Sequence, residues 1–137
     1  MNKEAQDFWA RAVQALQTAS EFRSRDRDAA ASRAYYTAFY AVSAFFALEG
    51  RTFKRHTAVE TAVHRDLVKP GLWPEALGRG YSFLHELRGT GDYGGGEHVS
   101  EEEAEKAVAI AQGILQAVHQ LKPEVFPKPN SDLSSAT

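Results

Sequence analysis

One stretch constrains the fold more than any other. Residues 24–50, SRDRDAAASRAYYTAFYAVSAFFALEG, run through alanine and aromatic residues with no breaker before Gly50, which suits the position just past a helix end. Tyr35, Tyr36, Phe39, Tyr40, Phe45 and Phe46 cover more than half the circumference of such a helix. A helix apolar on so many sides must be covered by neighbours on several sides, so it belongs at the centre of a bundle.

The neighbours are legible from the same periodicity. Phe8, Trp9, Ala12, Val13, Leu16, Ala19 and Phe22 recur at three- and four-residue steps, which predicts an amphipathic helix over 4–22. Thr57 with Glu60 reads as an N-cap and its capping-box partner for a short third helix that Pro70 and Gly71 end. A fourth runs from Pro74 to about Arg88, with Gly78 and Gly80 weakening its first half, and GTGDYGGGEHV reads as a loop by its glycine content. Ser100 and Glu103 form a capping box for a fifth helix that ends near Lys122. No strand alternation competes. The expected fold is all-α, an antiparallel bundle of four to five helices in one domain over 1–122, followed by a disordered tail over 123–137.

Composition narrows the function. The chain has no cysteine, which removes thiol chemistry and thiolate metal sites, and a net charge of −2, which supplies no broad positive field for duplex DNA. The N-terminus is neither signal peptide nor membrane span, so a cytoplasmic protein with no membrane association is expected. His56, Glu60 and His64 share a helix face, but an exposed polar face explains that spacing equally well, and no metal or other cofactor is expected. Arg51, Lys54, Arg55 and His56, with Phe53 among them, form a basic connector able to grip a phosphate backbone or to stay solvated. His119 reads as surface.

The fourth helix holds an anomaly. Counted at about 100° per residue from Leu77, Tyr81, Leu84 and Leu87 lie near 40°, 340° and 280°, and Arg88 lies near 20°, inside the apolar stripe. A guanidinium desolvated there without a partner costs roughly several kcal/mol, so it requires an acid such as Asp92, a bound anion, or an open groove. His85, at the edge of the stripe, is the histidine placed to reach the same groove.

SRAYYTAFYAVSAFFALEG, then KRHTAV, then LHELRGTGDY before a last amphipathic helix resemble a bacterial HEPN domain protein over about residues 5–120. The resemblance implies a helical bundle, usually a homodimer, often paired as a toxin with a minimal nucleotidyltransferase antitoxin. It also implies binding of RNA or a nucleotide, and active members are metal-independent ribonucleases with an arginine, four to six residues and a histidine. Arg88 matches that arginine. Tyr93 stands where the histidine would be, Gly89 replaces the polar residue that often follows the arginine, and His98 lies ten residues on. The resemblance thus places Arg88, Asp92 and Tyr93 at the reacting centre and Arg33 in the nucleotide-facing cleft, while the basic connector and the stripe's edge add Lys54, His56 and His85 as candidate nucleotide- or RNA-binding residues. Tyrosine, with a reference pKa of about 10, is a poor base at neutral pH and better suited to holding a phosphate, stacking on a base or accepting an adenylyl group from the paired enzyme. A non-catalytic scaffold for a nucleotidyltransferase is the alternative.

Overall fold

The computed structural model describes residues 2–129 and contains, among them, helices and connecting turns but no strand. Five α-helices follow in order: α1 Lys3–Phe22, α2 Arg27–Leu48, α3 His56–Ala62, α4 Glu75–Tyr93 and α5 Glu101–Leu121, with α3 continuing as a π-helical segment over Val63–Val68. The all-α bundle expected from the periodicity is the fold observed.

The central helix is α2, which packs against α1 most extensively and also against α4 and α5. Small residues make this possible. Ala30, Ala31, Ala34, Ala38, Ala41, Ala44 and Ala47 of α2, and Ala5, Ala12, Ala15 and Ala19 of α1, are all buried, so the ridges are low and the two helices approach closely. Asp26 caps α2 by accepting from the Ala29 amide at 3.1 Å, and Asn2 caps α1 by accepting from the Ala5 amide. Asn2 also donates to the Ala47 carbonyl at 2.7 Å, tying the start of α1 to the end of α2. Gly50, at φ +78°, turns the chain out of α2 as expected.

Two helix boundaries differ from the expectation. First, α3 begins at His56 with no side-chain cap, so Thr57 lies inside the helix and Glu60 is not a capping partner; both His56 and Glu60 turn instead toward α2 and α4. Second, α4 continues through Gly89–Tyr93, a stretch whose glycines predicted a loop. The physical reason is contact: a Cβ on Gly91 would lie 2.9 Å from the Asp28 carbonyl oxygen, so that glycine lets α4 press against the first turn of α2. Gly80 acts likewise, since its Cβ would meet Ile110 of α5 at 2.9 Å. The capping box of α5 forms as expected: Glu103 N donates to Ser100 Oγ at 3.1 Å and Ser100 N donates to Glu103 Oε1 at 3.0 Å.

Past α5 the chain is fastened to the bundle through Pro127. Phe126 is fully buried against Trp9, ring centroids 5.0 Å apart, and Trp9 Nε1 donates to the Pro127 carbonyl at 3.2 Å. His119, expected at the surface, instead binds the Phe126 carbonyl through Nδ1 at 2.7 Å. Of the tail expected over 123–137, Phe126 is packed into the core and its neighbours are fastened by hydrogen bonds, while residues 130–137 lie outside the described residues. Phe126→Ala should lower the unfolding free energy by about 3 kcal/mol and the midpoint of thermal unfolding by roughly 10 °C; chemical and thermal denaturation followed by circular dichroism measure both.

Candidate functional site

Because α4 extends one turn beyond Arg88, Asp92 stands on the same helix face four residues on. Arg88 Nε donates to Asp92 Oδ2 at 3.1 Å, and the side chain is only 19% exposed. Asp92 also accepts from Ser32 Oγ of α2 at 3.4 Å. Aromatic faces surround the guanidinium: its central carbon lies 5.4 Å from the Tyr35 ring, 5.2 Å from Tyr36 and 5.8 Å from Tyr93. Each such contact contributes about 0.5–2 kcal/mol, the more so when water is excluded. This is how an arginine occupies the apolar stripe: a carboxylate holds Nε and aromatic rings of α2 and α4 receive the flat cation. Nη1 and Nη2 make no hydrogen bond to any described residue.

A second cluster joins this one through Tyr35, which is fully buried. The Tyr35 hydroxyl and His56 Nδ1 share a hydrogen bond of 2.7 Å, His56 stacks on Phe39 with centroids 4.3 Å apart, and His85 stacks on Tyr35 at 5.0 Å. His85 Nδ1 lies 2.7 Å from Glu60 Oε1. The other oxygen of Glu60 accepts from Ser82 Oγ at 2.6 Å, and Ser82 Oγ lies 2.9 Å from His64 Nε2. Burial acts to raise the Glu60 carboxyl, but the hydrogen bonds from Ser82 and His85 outweigh it and bring it below the ordinary 4.5. An ionised Glu60 can only accept, so His85 carries its proton on Nδ1 and presents Nε2 as the acceptor when neutral. Burial, the positive Arg88 and His85 all make a charged His56 unfavourable, holding its pKa below 6.5. Burial likewise pushes the Tyr35 phenol up to about 12.

The structure therefore brings Arg88, Asp92, Tyr93, His56 and His85 into two linked clusters, and Arg33 adjoins them, its guanidinium 4.7 Å from the Tyr36 ring. Arg33 rests on that ring without an ion pair to any described acid. Lys54 is exposed in the connector before α3 and joins neither cluster. Tyr93 is 75% exposed. His98 is held elsewhere: its Nδ1 lies 2.7 Å from Asp28 Oδ2, and Asp28 Oδ1 accepts from the Val99 amide at 2.8 Å. His98 and Val99 hold the Asp28 carboxyl below its usual range. Ser82, Ser32 and the role of Glu60 were not visible as site features in the sequence. The one local signal was the three-residue spacing of Ser82 and His85, which puts both on the face toward α3.

A family model described as HEPN domain matches residues 5–121. A UPF0332 protein of Thermotoga maritima is 35% identical over 117 residues, covering 84% of this chain and 89% of that protein. A UPF0332 protein of Gloeobacter violaceus is 30% identical over 118 residues, covering 85% of this chain and 94% of that one. The chain belongs to the HEPN family. No helix among the described residues is long and apolar enough to cross a membrane.

The depressed pKa values set a direction for pH dependence. A group whose pKa is lower in the folded state lets the unfolded chain take the proton first, so its contribution to stability is present above the unfolded pKa and lost as pH falls. The free energy of unfolding should decline as pH drops below 6.5, through His56, and again below 4.5, through Glu60. His56→Gln and Glu60→Gln should each flatten the corresponding part of the curve, read from denaturation midpoints across a pH series.

Proposed function

We propose that this chain is a HEPN module that binds single-stranded RNA or a nucleotide through Arg88, as the toxin-type member of a cytoplasmic pair with a minimal nucleotidyltransferase, and that it works as a homodimer. One observation carries the reading: Arg88 is mostly desolvated, yet among the described residues it uses only Nε, on Asp92, and both terminal nitrogens have no acceptor. Two adjacent N–H groups on a guanidinium fixed in orientation suit the paired oxygens of a phosphate. Tyr93, exposed beside it, offers a ring for a base and a hydroxyl that the paired enzyme would adenylylate. An adenylate there adds negative charge next to Arg88 and so competes with phosphate.

A second reading, metal-independent cleavage of RNA, is favoured by the Glu60–His85 pair. The histidine that the family motif would carry after the arginine is Tyr93 here, but His85 lies one turn before Arg88 and is oriented by a carboxylate at 2.7 Å. His85 Nε2 would accept the proton of a ribose 2′-hydroxyl as its oxygen attacks the adjacent phosphorus, while Arg88 steadies the charge on the phosphoryl oxygens. The 5′-oxygen would leave, taking a proton, so the products are a 2′,3′-cyclic phosphate and a 5′-hydroxyl.

Arg88→Ala should weaken binding of a cleavage-resistant 2′-O-methyl oligonucleotide by about tenfold or more, the scale of losing a charge-assisted hydrogen bond; unchanged affinity by fluorescence anisotropy would remove the binding reading. With unmodified RNA in the presence of EDTA, cyclic phosphate ends should form with the parent protein and vanish in His85→Ala if the chain cleaves. Cleavage that survives His85→Ala would exclude His85 as the base. Sedimentation at tens of micromolar should give a dimer.

A further inference from the structure

A groove of about 410 Å³ runs between α1 and α2, lined by Arg11, Gln14, Ala15, Thr18, Arg33 and Tyr40. It lies apart from the His85–Glu60 cluster and contains two arginines with no acid partner among the described residues. What sets these two apart is that they face one groove together, each held against an aromatic ring of α2. Aromatic rings position both cations: Arg11 lies 5.9 Å from the Tyr40 ring and Arg33 lies 4.7 Å from the Tyr36 ring. Tyr36 and Tyr40 are themselves in contact, centroids 5.6 Å apart.

Tyr36 connects this groove to the site already described, since Arg33 and Arg88 both lie against it, at 4.7 and 5.2 Å. The order Arg11, Tyr40, Tyr36, Arg88, with Arg33 alongside Tyr36, is a cationic track interleaved with aromatic rings, and Gln14 and Thr18 of α1 add an amide and a hydroxyl to the groove. A chain carrying one negative charge per residue, with flexible spacing and planar bases, matches such a track; a compact anion would need only one end of it.

We infer that the α1–α2 groove binds the sugar-phosphate backbone of single-stranded RNA as it leaves the Arg88 site, with Arg11 and Arg33 each taking a phosphate. The inference rests on the reading of Arg88 as a phosphate site, and the test separates the two. Fluorescence anisotropy is measured with 2′-O-methyl oligouridylates, a trinucleotide and a dodecamer, across a salt series. For the parent protein the dodecamer should bind about tenfold more tightly than the trinucleotide. In Arg11→Ala/Arg33→Ala that ratio should collapse, and the salt slope for the dodecamer should shrink by about 1.4, the value for two lost phosphate contacts on a single strand. Arg11→Lys/Arg33→Lys should restore most of the slope, and circular dichroism melts verify that the variants are folded.

A ratio and slope unchanged in the double alanine variant overturn the groove while leaving Arg88 standing. Arg88→Ala should weaken both oligonucleotides in parallel. If the trinucleotide ignores Arg88→Ala while the double variant loses the dodecamer, the Arg88 reading fails and the groove survives. Failure of both oligonucleotides to bind the parent protein at low salt overturns both.

Discussion

Burying α2 on several sides is the requirement that the rest of this molecule answers. A helix with aromatic residues around most of its girth cannot rest on one neighbour, and α1, α4 and α5 each take a share of it. Alanines are buried along both α1 and α2, and among the aromatics of α2 Tyr40 meets α1 while Tyr35 and Phe39 meet α3 or α4. Those aromatics then serve twice. Tyr35 is core by burial and is also the ring on which His85 stacks and toward which Arg88 lies. Packing and the candidate site share the same atoms, so a change to Tyr35 would disturb both.

The electrostatics follow from that sharing. Arg88 pairs with Asp92 and lies over aromatic rings in a region largely shielded from water, where charges are screened less than at an exposed surface. Arg88 adds to the burial that keeps His56 neutral, whereas Glu60, beyond Tyr35, is held ionised by its hydrogen bonds. Neutral imidazole, carboxylate and guanidinium thus stand side by side in defined charge states, which general acid–base or phosphate chemistry requires.

How much of this was legible in the sequence varied with the range of the interactions. Apolar spacing over 4–22, the unbroken run to Gly50 and the box at Ser100 and Glu103 are local signals, and the helices stand where they predict. The stretch from Gly89 to Tyr93 misled because glycine propensity is an average over contexts, whereas Gly91 is helical here to admit the Asp28 backbone, a contact between residues far apart in sequence. Arg88 announced itself through its position on the stripe, and Asp92 through its four-residue spacing. The pairing of His85 with Glu60 had no local signature, since it depends on how α3 and α4 come together across the π-helical segment. Arg11 was invisible for the same reason: its part in a groove exists only once α1 lies along α2.

The packing of residues 123–129 carries a consequence for how the molecule opens. Gln6 donates to the Val125 carbonyl at 3.3 Å and Trp9 donates to that of Pro127, so both ends of the described chain are fastened to each other on one flank of the bundle. Fraying at one end is ordinarily independent of fraying at the other. Here the two form a single cooperative unit: releasing Phe126 uncovers Trp9, and with it the helix that carries Arg11 and one wall of the groove. Amide protons in the first half of α1 and those after α5 should therefore share one opening free energy, making the terminal segments a joint foldon on which the integrity of the α1–α2 groove depends.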